Sequence, residues 1–254
     1  MELEAAFQLW WAQLVEAFFV FLRLGAVMAL LPAFGERSVP ARVRLALTLA
    51  FTLVVTPLSD GMRAPLIATD PLARAGVEIA VGLALGIALR LIFLSLQIAG
   101  TIAANVVSLS QILGGVSVDP QPAMGHILAV AGLALAVING LHLKAIHAMV
   151  ESYAVFPGAT APNAADMATW GTARVAQAFA LSFSLAAPFV IASVIYNLAL
   201  GAINRAMPQL MVAFVGAPAI TMGGLVLLFV CAPLMLSVWL GAFDALLANP
   251  FDQR

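Results

Sequence analysis

Polar positions interrupt this chain in only a few places, and the apolar intervals between them are long. Six stretches result: from Phe7 to Phe34, Ala41 to Leu58, Val77 to about Val107, Ile127 to Val150, Val175 to Ile203, and Met211 to Leu247. Ala and Leu dominate them, the runs are continuous, and period-2 alternation is absent, so the pattern predicts helices and not a barrel. A membrane-crossing helix needs about 20 residues at about 1.5 Å rise each. The second stretch is marginal, because its uncharged part starts only at Leu45. The third would measure about 46 Å as one helix and the sixth about 55 Å, against roughly 30 Å of hydrocarbon. Pro218, Gly223, Gly224 and Pro233 divide the sixth into two expected helical pieces, and Pro188 predicts a kink in the fifth. Such unequal lengths do not describe a uniform six-span bundle.

The connections are short. Gly35 to Pro40 carries Glu36 and Arg37, Ser59 to Gly76 carries Asp60, Arg63, Asp70 and Arg74, and Ser108 to Pro122 has no Lys or Arg. Ser152 to Thr172 is rich in Pro, Ala and Gly, and Asn204 to Gln209 carries Arg205. No linker is long enough to separate soluble domains, and no internal repeat is visible. The expected architecture is all-α: a polytopic membrane-complex protein of long kinked helices and helical hairpins, with no soluble domain. Loop charge does not orient it. With six spans and the N-terminus outside, the inner loops hold Arg37, Arg42, Arg44 and Arg205; with it inside, they hold Arg63, Arg74, Arg174 and Arg254. The tie points to a weakly encoded topology or to a protein that does not sit as ordinary bilayer spans.

Composition sharpens this. Of 254 residues, 63% are hydrophobic and 9% charged, whereas soluble chains carry about 25% charged residues. One core cannot hide that much apolar surface, so lipid or partner subunits must cover it. A net charge of −1 offers nucleic acid no attraction. Cys231 is the sole cysteine, which excludes an internal disulfide. The opening Met1-Glu2-Leu3-Glu4 lacks the positive leader of a secretory signal, so the apolar segments are expected to be retained.

Candidate chemistry is sparse. His142 and His147 are five apart, roughly 140° around a helix, and not the i,i+4 of a metal-binding pair. These two and His126 are expected to make polar contacts inside a packed bundle; no metal or cofactor is implied. No nucleophile elbow, phosphate loop or dinucleotide fingerprint occurs. Gly82 and Gly86 form a close-packing motif that is also a common accident in so small-residue-rich a chain. Glu16, Arg23, Glu78, Arg90, Lys144 and Asp244 lie within apolar stretches and do not concentrate on one helix face. Each needs a partner, water or the interface, and pairing or snorkelling is favoured over an ion path. Arg42 and Arg44 follow Pro40 at a helix start, where the helix dipole disfavours cations; anionic headgroups or a partner's carboxylates would hold them.

The segment from Ser108 to Gln121 is uncharged until Asp119. It mixes hydroxyls with Ile112, Leu113, Val116 and Val118 around a Gly114-Gly115 hinge, and Asp119-Pro120 has the form of a helix cap and first turn. Two readings stand side by side: a plain helix connection, or a movable plug whose apolar side chains seal a pore.

Longer motifs run the length of the chain. They include Phe21-Leu22-Arg23, Pro32, Phe34-Gly35, Ser38 to Arg44, Asp119-Pro120-Gln121, Asn139-Gly140-Leu141-His142, Ser152-Tyr153 and Pro157-Gly158. The most specific are Asn197 to Gly201, Arg205, Met207-Pro208-Gln209, Phe214, Gly216 and Pro218. In this order they make the chain similar to the FliR family of flagellar biosynthetic proteins and its injectisome relatives in type III export. Met211, and the residues around Asn105 to Ile112, depart from the family's usual pattern.

The resemblance implies a non-enzymatic export-gate subunit in the bacterial inner membrane at the flagellar basal body. One copy would join FliP-like and FliQ-like proteins, with an FlhB-like protein at the entrance, around a channel for unfolded flagellar cargo. It implies one subunit domain: a helical N-terminal part over about 1–107, a plug-like loop over about 108–121, and a helical C-terminal part over about 122–254. Ser108, Ile112, Leu113, Gly114, Gly115, Val116, Asp119, Pro120 and Gln121 would form the plug. Arg23, Arg42, Arg44, Gly201, Arg205, Pro208 and Gln209 would make structural or partner contacts. Energy would come from a cytoplasmic ATPase and the proton motive force through partners. The alternative is a small-solute or proton-coupled transporter, motivated by Glu78 and Arg90; a membrane-embedded enzyme ranks last.

Overall fold

A computed structural model describes residues 2–36, 39–59, 70–108, 123–158, 161–207 and 212–252. Among these the regular elements are all helices: α1 (Glu2–Leu30), α2 (Ala41–Leu58), α3 (Pro71–Ser108), α4 (Ala123–Ile138), α5 (Leu141–Val155), α6 (Ala164–Ala206) and α7 (Val212–Ala248). Five of them are long and apolar enough to cross a membrane, and α4 with α5 forms a further, broken candidate.

Helix starts follow capping chemistry more closely than hydropathy. Asp70 Oδ1 accepts the Leu72 N–H at 3.1 Å, and Pro71 opens α3 six residues before the apolar run at Val77. Asn163 Oδ1 does the same for Ala165 at 2.9 Å, so α6 opens at Ala164 and not near Val175. The connections expected over Ser59 to Gly76 and Ser152 to Thr172 are correspondingly shorter. Arg74 and Arg174, counted above as loop charges, lie inside α3 and α6. The sixth stretch, expected as two pieces, is one helix of 37 residues with Pro218 and Pro233 inside it. Buried or lipid-exposed helices tolerate proline where neighbours or local adjustment re-satisfy the freed carbonyl. The fourth stretch is the one that breaks, at Asn139-Gly140, where Gly140 takes φ 77°.

The contacts divide the chain into two compact units. The first comprises Met1–Leu91, Val137–Val175 and Phe243–Arg254. Here α1 packs on α2, and Val20, Leu24, Val27, Met28 and Leu31 form a fully buried stripe at helical spacing. Val81, Leu85 and Leu89 of α3 and Leu141, Ala145 and Met149 of α5 complete the core. The Gly82 and Gly86 motif is a true close approach: a Cβ on Gly82 would lie 2.9 Å from Ala26 Cβ, and one on Gly86 3.0 Å from Leu30 Cβ.

The second unit comprises Ile92–Ala136 and Ala176–Ala242. Its centre is Trp239, fully buried, whose indole N–H donates to the Ile92 carbonyl at 2.7 Å. Phe93 meets its ring edge-on at 4.8 Å. Helices α3 and α4 touch backbone to backbone where Gly100 faces Gly125; a Cβ on Gly100 would lie 2.6 Å from Gly125 N. Gly100→Leu is therefore expected to destabilise by about 1–3 kcal/mol through overpacking, measurable as a lowered thermal midpoint in detergent. An unchanged midpoint would contradict this crossing.

Candidate functional site

Two sites are built by the described residues: a buried charge cluster in the first unit and the roots of the proposed plug in the second. The cluster starts from periodicity. Arg74 and Glu78 are i,i+4 on α3 and share the face of Val81 and Leu85, while Glu16 and Arg23 lie seven apart on α1. Three of the six charges within apolar stretches, Glu16, Arg23 and Glu78, thus gather with Arg74 on facing sides of two helices, while Lys144 and Asp244 pair elsewhere. Arg23 and Glu78 are fully buried and joined by Arg23 Nε donating to Glu78 Oε2 at 2.6 Å.

The rest of the Arg23 guanidinium is also spent. Nη1 donates to Ser152 Oγ at 2.9 Å and Nη2 to the Phe156 carbonyl at 2.8 Å. Its plane lies over the Tyr153 ring, with Cζ 3.7 Å from the centroid, and Tyr153 OH donates to Glu78 Oε2 at 3.3 Å. Arg74 is a residue the sequence reading missed, because it was placed in a loop. It forks onto Glu16 through Nη1 at 2.9 Å and Nη2 at 2.7 Å, and stacks on Phe19. Its signal was its four-residue spacing from Glu78.

This arrangement holds α1, α3 and the end of α5 together. The Phe156 side chain extends it, packing edge-on against Phe251 at 4.9 Å, while Trp170 donates to the Pro250 carbonyl at 3.2 Å. Lys144 and Asp244 pair at 2.7 Å, but both are partly exposed, so the pair is worth at most about 1 kcal/mol. The three histidines are exposed on this chain, not buried in a bundle, and His147 faces Glu151 at 3.1 Å. Among the described residues no group of three or more His, Cys, Asp and Glu is arranged to hold a metal.

In the second unit α3 ends at Ser108, where the plug-like segment begins. Ser193 Oγ of α6 donates to the Val106 carbonyl at 3.1 Å, and Asn197 Nδ2 donates to Ser193 Oγ at 3.0 Å. Tyr196 OH donates to the Gly216 carbonyl at 2.6 Å, fastening the start of α7. Between them Val107, Phe189, Tyr196, Ile220 and Leu227 line an apolar cleft of about 180 Å³. The far root, at the start of α4, is the Gly125 contact with Gly100.

The candidate plug and contact residues fall as follows. Ile112, Leu113, Gly114, Gly115, Val116, Asp119, Pro120 and Gln121, with Pro208 and Gln209, lie outside the described residues, as does the Ser108 side chain. Gly201 and Arg205 are exposed on the last turns of α6 and Arg42 is exposed on α2. Arg44 is held within the chain: Nε donates to the Phe34 carbonyl at 3.2 Å and Nη2 to the Glu36 carbonyl at 3.0 Å. Those carbonyls of the preceding turn answer the cation at the helix start.

The chain matches the model of the family described as "Bacterial export proteins, family 1" over residues 14–246. It is 34% identical over 239 residues to the flagellar biosynthetic protein FliR of Caulobacter vibrioides, covering 92% of this chain and 95% of that one. FliR of Escherichia coli is 28% identical over 238 residues, with 92% and 90% covered. FliR of Bacillus subtilis is 30% identical over 235 residues, with 89% of each chain covered. The motifs, the helices long enough to cross a membrane and these full-length matches agree: the chain belongs to the FliR family of bacterial export proteins and is a membrane subunit of the flagellar export apparatus.

Proposed function

We propose that this chain is one subunit of the gate through which unfolded flagellar proteins cross the inner membrane at the basal body. It would assemble with FliP-like, FliQ-like and FlhB-like proteins, and act by gating, without catalysis. The observation that carries this reading is the apolar surface of α6 and α7. At 43 and 37 residues these helices reach about 65 and 55 Å, far beyond roughly 30 Å of hydrocarbon. On α6, Phe183, Ile191, Ile195 and Leu198 are exposed; on α7, Met222, Val226, Phe229 and Val230 form an exposed stripe at i, i+4, i+7, i+8. Lipid can cover only part of such lengths, so neighbouring helices must cover the rest. The exposed end of α6, with Gly201 and Arg205, belongs to that surface.

The segment 108–121 is the proposed plug, hung between roots that the Gly100–Gly125 crossing and the Ser193–Val106 bond keep fixed. An apolar constriction seals by excluding water, and a wall of small and hydroxyl residues binds no cargo tightly. The transporter alternative loses its motive at Glu78, which is fully buried and bound to Arg23.

Cross-linking tests the interface. In a Cys231→Ser background, a cysteine at Phe229, 83% exposed, is expected to form adducts with a co-expressed FliP-like or FliQ-like protein. Adducts with no partner, in cells that export normally, would contradict the reading.

A further inference from the structure

Glu78 and Arg74 each keep one polar atom that the protein does not satisfy. Glu78 Oε2 receives both Arg23 and Tyr153, whereas Oε1 is buried without a hydrogen-bond partner. Arg74 spends Nη1 and Nη2 on Glu16, whereas its Nε is buried and unpaired. Glu78 is fully buried and Arg74 is 2% exposed. Buried groups of this kind rarely stay unpaired, because each forfeits its hydration on folding.

Both atoms lie close to one point. A Cβ built on Gly158 would collide with Glu78 Oε1, lie 3.3 Å from Glu78 Cδ, and lie 3.4 Å from Arg74 Nε. Glycine at 158 therefore lets the chain pass directly against the carboxylate. Two atoms this close to one point are within the roughly 5.6 Å that a single molecule spans with two hydrogen bonds of about 2.8 Å.

The chemistry of the pair selects the ligand. Arg74 Nε is a donor only, and the Oε1 of a Glu78 carboxylate paired with Arg23 is an acceptor only. An anion would suit the first and be repelled by the second; a cation would meet the reverse. A neutral molecule that both accepts and donates suits the two together. We propose that Arg74 Nε and Glu78 Oε1 hold one buried water beside Gly158.

This water joins two separate ion pairs into one chain, from Glu16 through Arg74, the water and Glu78 to Arg23. The chain ties α1 to α3 and to residues 152–158. The network therefore fixes the helices in place.

A density map of the assembled complex, at a resolution that shows ordered water, tests the site. The expected result is a peak about 2.8 Å from both atoms. The Arg74→Lys variant keeps a positive charge opposite Glu16 but lacks the Nε donor, and the peak should be lost there. No peak in the natural protein, a direct Arg74–Glu78 bond in its place, or a peak unmoved by Arg74→Lys would each overturn the proposal. Should the variant fail to assemble, the map of the natural protein decides alone.

Discussion

Replacing Arg23 by alanine is expected to destabilise the protein by about 3–5 kcal/mol, the cost of stripping one partner from a buried pair. Four interactions end together: the bond to Glu78, those to Ser152 Oγ and the Phe156 carbonyl, and the stack on Tyr153. What remains is a fully buried carboxylate that has lost its directly bonded cation and keeps only Arg74 nearby. Glu78→Ala leaves the converse, an unmatched guanidinium. The pair's net worth is far smaller than either loss, because burying both ions was itself costly. The double variant Arg23→Met, Glu78→Leu should therefore recover most of the stability lost by either single change. Denaturation of the detergent-solubilised complex, with the cycle of single and double variants, reads this directly. Singles no worse than the double would show that the cluster does not hold α1 to α3.

Deleting residues 112–116 is expected to leave the helices assembled but to let small ions leak across the cell membrane. The deletion removes Ile112, Leu113 and Val116, the apolar side chains that would exclude water, together with the Gly114-Gly115 hinge. The roots are independent of it: the Gly100–Gly125 crossing and the Ser193–Val106 bond lie outside the deleted residues. Assembly and sealing can thus be separated. The expected phenotype is a large rise in ion conductance and salt sensitivity, appearing only when the partner subunits are present. Conductance unchanged from the natural protein would show that segment 108–121 is a plain connection.

Much of the architecture was legible in hydropathy, and the misses have separate physical causes. The second stretch coincides with α2, from Ala41 to Leu58, because Pro40 and charged residues bracket it. The starts of α3 and α6 were placed too late, because Arg74 and Asp166 interrupt their first turns and hydropathy reports covering by lipid or protein, not helix ends. Asp70-Pro71 and Asn163 were the readable cap signals. Placing Arg74 in a loop then hid its four-residue spacing from Glu78, and with it the charge cluster. Proline misled in α7, where Pro218 and Pro233 leave the helix unbroken. Asn139-Gly140, noted only as part of the resemblance, marks the break that does occur. The histidines were expected inside because apolar segments surround them, yet each sits on an exposed helix face. The intrachain acceptors of Arg44, carbonyls of the preceding turn, leave no trace in residue type. The plug itself rests on composition and resemblance, since residues 109–122 lie outside those described.

The central claim is that this chain works only as one part of a larger gate, its long apolar helices covered by other subunits. Native mass of the detergent-extracted protein, expressed with and without FliP-like and FliQ-like proteins, tests it most directly. The account predicts a single copy held in a large multi-chain particle when those proteins are present. A stable monomer or homodimer that ignores them would contradict it.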